Sequence, residues 1–159
     1  MNIEKIAVIG AGLMGSGIAA QIANAGYEVL LLDIVPKDAE DRSVIAKSAI
    51  QKMLKADPAP FMTKKAAKLI TPGNIEDDIE KIGECDWIVE VVLEDLKIKE
   101  QTYEKIEKYR KKGSIVSSNT STIPLELLVK NQPEQFKKDF MISHFFNPVR
   151  YMRLLEIVV

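Results

Sequence analysis

The 159 residues suit one domain with enough chain for a real core, and 47% hydrophobic with 28% charged residues is the balance of an ordinary globular protein. A formal net charge of −1 leaves no basic field for nucleic acid or an anionic membrane surface, and no apolar run approaches the ~20 residues that span a bilayer. Glu4 and Lys5 precede an early glycine cluster, so no signal peptide is expected; Cys85 is the only cysteine, which rules out an intrachain disulfide and suits a reducing, cytoplasmic setting.

Glu4-Lys5-Ile6-Ala7-Val8-Ile9 is an almost continuous apolar run, the pattern of a buried parallel strand. It enters Gly10-Ala11-Gly12-Leu13-Met14-Gly15, a G-x-G-x-x-G turn. Gly10 permits a sharp strand-to-helix turn, Gly12 lets a pyrophosphate approach the backbone, and Gly15 lets the helix pack on the strand. Leu13 to Ala25 is the expected helix, rich in small residues and stopped by Gly26. Its first N–H groups and positive dipole end suit phosphate. Glu28 to Leu32 is a second strand, and Asp33 at its end lies 18 residues beyond Gly15. An acid there can hold both ribose hydroxyls of an adenosine. The glycine pattern alone is a weak signal, and a chance turn competes with it; the flanking strand and Asp33 favour dinucleotide binding.

Asp38 to Lys55 is helical in pattern, with Val44, Ile45, Ala49, Met53 and Leu54 on one face. Asp57-Pro58-Ala59-Pro60 breaks it, and Thr63 to Leu69 makes a short second helix. This excursion is either a solvated hairpin or an arm toward a large substrate. Thr71 to Ile75 is expected as a third strand, Glu76 to Ile82 as a short helix, and Asp86 to Val92 as a strong fourth strand. Leu96 to Lys111 is a charged amphipathic helix closed by Gly113. Ser114 to Ser118 is a fifth strand, followed by the polar turn Ser118-Asn119-Thr120-Ser121-Thr122 and a helix from Pro124 through Lys130. Asp139 to Phe146 and Arg153 to Val159 are two closing strands, and the short link Asn147-Pro148-Val149-Arg150 makes them antiparallel. The alternation predicts an α/β fold: one doubly wound Rossmann-type domain over 1–159, its sheet mostly parallel, with an antiparallel closing pair and a helical excursion after the second strand.

His144 is the only histidine. Lone histidines are mostly structural, but this one ends a predicted strand, where sites form in doubly wound sheets. Glu156 interrupts the apolar Leu154-Leu155-Glu156-Ile157-Val158-Val159, and a buried carboxylate needs a partner. A hairpin folded about Arg150 places Glu156 opposite His144. An imidazole oriented by a carboxylate can take a hydroxyl proton while hydride leaves the same carbon; a purely structural His–Glu bond is the competing reading. Ser121 and Asn147 lie in predicted carboxyl-end loops and could position a reacting oxygen or a nicotinamide, or serve as helix cap and turn residue. No Cys/His cluster suggests a metal, and Cys85 suits packing better than nucleophilic chemistry.

Taken together, Gly10 to Gly15, Val91-Val92-Leu93-Glu94-Asp95-Leu96-Lys97-Ile98-Lys99, Ser118-Asn119-Thr120-Ser121 and His144-Phe145-Phe146-Asn147-Pro148 with Glu156 resemble the 3-hydroxyacyl-CoA dehydrogenases. The details around Asp57-Pro58-Ala59-Pro60 and Ile75-Glu76-Asp77-Asp78 look most like the dehydrogenase part of bacterial multifunctional fatty-acid oxidation proteins. The resemblance implies NAD as cofactor and an acyl-CoA thioester as substrate. Gly10, Gly12, Leu13, Met14 and Gly15 would bind the cofactor as its phosphate cradle, Asp33 would bind the adenosine ribose, and Glu94 and Lys99 would flank the cofactor. Ser121 and Asn147 would contact nicotinamide and substrate, with His144 as base held by Glu156. Ser48 and Lys55, seven apart on one helix face, would reach the CoA portion. NAD is favoured over NADP because Asp33 would repel a 2′-phosphate. Family members continue into a helical C-terminal domain that closes the cleft and makes most of the dimer contact; this chain stops at Val159, so an isolated first domain that binds NAD but turns over poorly is expected.

Overall fold

A computed structural model describes residues 2–159. Among them, seven strands form one sheet: β1 (Lys5–Ile9), β2 (Glu28–Asp33), β3 (Ile70–Asn74), β4 (Trp87–Glu90), β5 (Ile115–Ser118), β6 (Phe140–Phe145) and β7 (Leu155–Val158), in the spatial order β3-β2-β1-β4-β5-β6-β7. Every pairing is parallel except β6 with β7. The chain winds outward through β2 and β3, then returns past β1 to build β4, β5 and β6. The order therefore reverses between β1 and β4, where ligands of such sheets bind.

The apolar runs explain the layering. Successive strand residues point to opposite faces, so Ile6, Val8, Val29, Leu31 and Val89 pack beneath helices α1 (Leu13–Asn24) and α2 (Val44–Lys55). Ala7, Ile9, Leu30, Leu32, Ile88 and Val116 face the other way. There they meet α4 (Leu96–Tyr109) and the short helices α5 (Leu125–Leu128) and α6 (Glu134–Asp139), while α3 (Ile75–Asp78) follows β3. Tyr103 of α4 lies 5.6 Å from Phe136 and 5.3 Å from Phe140, ring centre to ring centre. Arg110 then ties the end of α4 to Asp139 at 2.8 Å.

The expected doubly wound sheet is present, with several boundaries moved. The helix expected from Asp38 starts only at Val44, because Asp38 has φ +57° and Asp41 turns back to accept Lys47 at 2.8 Å. The segment before β3 forms only a single 3₁₀ turn, Ala66–Leu69. β4 stops at Glu90 rather than Val92, and the helix expected from Pro124 through Lys130 is only four residues long. Helix α6 was not expected. Β7 has little cover on either face: Leu155, Ile157 and Val158 are all exposed.

Candidate active site

The glycine turn is built by close backbone approach. Gly10 has φ +109°, and a β-carbon there would lie 2.3 Å from the Val91 carbonyl oxygen. A β-carbon on Gly15 would meet the Gly10 carbonyl oxygen at 1.8 Å, so α1 sits directly on the turn. Gly12 differs: nothing lies within 4 Å of a β-carbon there. It occupies the N-cap of α1 without any side-chain cap, so the first N–H groups of a twelve-residue helix open toward that space. At the end of β2, Asp33 turns its carboxylate to the same turn, accepting Ala11 N–H at 2.5 Å and Ile34 N–H at 2.7 Å.

Beyond the turn lies a cleft of about 550 Å³, lined by Gly12 and Leu13, by Ser48 and Lys52 of α2, and by Asn147 and Tyr151. Leu13 is exposed at its mouth, while Met14 packs against the core. Lys55 does not line this cleft. It is the last residue of α2, where the chain leaves toward Pro58, and Lys52, one turn from Ser48, supplies the cleft's lysine instead. Arg150 holds the far wall by donating to the carbonyls of Ala59 at 2.7 Å and Phe61 at 3.1 Å.

His144 and Glu156 occupy directly opposed positions on β6 and β7. His144 Nδ1 is 2.7 Å from Glu156 Oε2, which leaves Nε2 as the nitrogen for proton exchange. The imidazole packs against Phe146, 4.5 Å between ring centres. The pair opens onto a second cavity of about 540 Å³, which Thr120, Ser121 and Thr122 also line. Asn147, three residues beyond His144, lines the glycine-turn cleft and not this cavity.

The loop bearing Ser121 is organised by Glu94. One carboxylate oxygen accepts the Thr120 hydroxyl, the Thr122 hydroxyl at 3.0 Å and the Ser121 and Thr122 N–H groups at 3.2 and 3.3 Å. Burial pushes the Glu94 carboxyl up, but the Thr120 hydroxyl, the Lys99 charge and the Thr122 hydroxyl outweigh it and hold it at about 2. Lys99 lies inside the protein, 1% exposed, with its ammonium 2.8 Å from Glu90 and 3.3 Å from Glu94. It thus stands beneath Glu94 and does not project into either cavity. Glu90, inside the apolar Trp87-Ile88-Val89-Glu90-Val91, carries the signal that singles out Glu156 in the sequence, yet only Glu90 is buried: the Glu156 side chain is exposed, because β7 is an edge strand with little cover.

Cys85 is fully buried, and burial pushes its thiol up to about 11, which makes it a packing residue. Among the described residues, no group of three or more His, Cys, Asp or Glu could hold a metal ion, and no helix is long and apolar enough to cross a membrane.

A doubly wound sheet whose glycine turn opens at its switch point is a Rossmann-type dinucleotide-binding domain. The open space at Gly12, the uncapped helix end and the acid at the end of β2 fit NAD. Residues 5–159 match the family model described as 3-hydroxyacyl-CoA dehydrogenase, NAD binding domain, and the chain belongs to that family. A probable 3-hydroxyacyl-CoA dehydrogenase of Deinococcus radiodurans is 51% identical over 158 residues, covering 99% of this chain and 46% of that protein. A putative fatty acid oxidation complex trifunctional enzyme of Rickettsia felis is 49% identical over 158 residues, covering 99% and 22%. Among solved structures, M. tuberculosis FadB2 superposes with a TM-score of 0.78 at 27% identity, over 99% of this chain and 54% of that one. The chain therefore spans less than half the length of these two curated relatives.

Proposed function

We propose that this chain is the NAD-binding and base-carrying part of an L-3-hydroxyacyl-CoA dehydrogenase, which oxidises a 3-hydroxyacyl-CoA to the 3-oxoacyl-CoA in fatty-acid β-oxidation. The observation that carries the reading is the His144–Glu156 pair, 2.7 Å apart and opening onto the same cavity as Ser121. NAD, when bound, supplies the hydride acceptor. His144 Nε2 takes the proton of the substrate hydroxyl as the carbon–hydrogen bond gives up hydride. Glu156 fixes the ring orientation and stabilises the imidazolium that forms. Ser121 donates toward the reacting oxygen, and Asn147 orients the nicotinamide end of the cleft. Asp33 holds the adenosine ribose, Glu94 shapes the loop beside the cofactor, and Lys99 acts through Glu94. Ser48 reaches the CoA portion, with Lys52 rather than Lys55 beside it.

Because the curated relatives are longer, full turnover is assigned to a protein that also carries a helical C-terminal domain, as a homodimer in the cytoplasm. The 159 residues alone bind NADH and turn over slowly. The test is NADH oxidation by the full-length protein with acetoacetyl-CoA and with free acetoacetate. Turnover confined to the thioester supports the proposal. Turnover of the free acid without the thioester would replace it with a hydroxy-acid dehydrogenase, and NADH binding without turnover of either would leave a binding module.

A further inference from the structure

Glu90 is wholly buried at the end of β4, and its carboxylate accepts four hydrogen bonds, from two elements (α4 and β5) and its own turn. Oε1 takes the Lys99 ammonium at 2.8 Å and Val92 N–H at 2.8 Å. Oε2 takes the Tyr103 hydroxyl at 2.7 Å and the Ser118 hydroxyl at 2.6 Å. So complete a donor set satisfies a buried charge, but satisfaction alone does not explain where the partners lead. Two arms run from Glu90 to one loop. Ser118 Oγ, held by Glu90, accepts Thr120 N–H at 3.3 Å. Lys99, held by Glu90, pairs with Glu94, which gathers the Thr120–Thr122 donors. A third link is main chain: the Glu90 carbonyl accepts Asn119 N–H at 2.9 Å, and Asn119 Oδ1 accepts Phe145 N–H at 2.8 Å, next to His144.

We propose that Glu90 is a positioning residue: through Ser118 on one side and Lys99–Glu94 on the other, it sets the Asn119–Thr122 loop so that Ser121 lines the cavity onto which His144 opens. The proposal rests on the dehydrogenase reading for its kinetic consequence, but not for its structural one. Glu90→Gln preserves shape. Its amide oxygen can face Lys99 and Val92 N–H, and its NH₂ can face Tyr103 and Ser118, whose hydroxyls can accept. The change leaves Lys99 with Glu94 as its one carboxylate partner and weakens both arms together. Ser118→Ala cuts one arm with the loss of a single oxygen.

Amide hydrogen exchange on the 159-residue chain tests the structural part without cofactor or substrate. In both variants, exchange over Asn119–Ile123 rises about tenfold or more while the amides of β1 and β2 stay within about twofold of the unsubstituted chain. In the full-length protein, kcat falls about tenfold with the KM for acetoacetyl-CoA within about threefold, the signature of a misplaced reacting group. Unchanged loop exchange, or an equal rise in every strand, would overturn the proposal. If Glu90→Gln does not fold, Ser118→Ala decides by the same readout. Failure of the unsubstituted full-length protein to turn over acyl-CoA would instead sink the dehydrogenase reading and leave the exchange result standing.

Discussion

The carbonyl oxygen of Gly10 fills the place that a Gly15 side chain would take: a β-carbon on Gly15 would lie 1.8 Å from it. The first turn of α1 thus rests on the backbone that closes β1, and the helix end points at the space above Gly12. Close packing and ligand access are assigned to different glycines within six residues.

That division separates stability from binding. Gly10→Ala meets the Val91 carbonyl at 2.3 Å and needs φ +109°, so it lowers the stability of the chain by about 3 kcal/mol in urea denaturation. Gly12→Ala meets nothing, so its unfolding midpoint stays close to that of the unsubstituted chain, while its NADH dissociation constant rises about tenfold or more, a loss of ~1.4 kcal/mol. Equal stability losses in the two variants would refute this assignment.

Glu94 makes the loop sensitive to acid. Its carboxyl in the folded chain lies at about 2, below the ordinary 4.5, so its ionised form favours the folded state. That contribution is complete above about 4.5 and is lost as pH falls toward about 2. Glu94→Gln lowers the thermal midpoint at pH 7, and the gap to the unsubstituted chain closes across this window. A gap that stays constant from pH 6 to below pH 3 would contradict the sign.

Much of the fold was legible because the signals were local. The continuous apolar run Ile6-Ala7-Val8-Ile9 reads as a strand buried on both faces, and the glycines that follow place its end. The hairpin was legible too: a link centred on Arg150 paired His144 with Glu156, as the register has it. Helix α6 was not legible, because Glu-Gln-Phe-Lys-Lys-Asp offers one apolar residue; Phe136 packing on Tyr103 and Phe140 fixes it instead. The start of α2 at Val44 is not legible because the largely polar Asp38–Ser43 fits a helix's solvent face as well as it fits turns. The role of Glu90 is not legible for a different reason. Its partners Lys99, Tyr103 and Ser118 lie 9 to 28 residues away, and no local pattern brings them together.

Glu156 gives a cleaner test of charge than of position. Glu156→Gln keeps an oxygen beside His144 Nδ1 but removes the charge that, in the proposed mechanism, steadies the imidazolium. In the full-length protein kcat falls about a hundredfold, with NADH affinity unchanged. A loss below about twofold would make the His144–Glu156 bond structural only.

In the proposed mechanism the glycine turn binds and His144 reacts. The most direct test is His144→Gln in the full-length protein, with acetoacetyl-CoA reduction and NADH binding measured on the same sample. The expected result is a kcat lowered about a thousandfold with the NADH dissociation constant unchanged. Retained turnover, or a parallel loss of NADH binding, would contradict it.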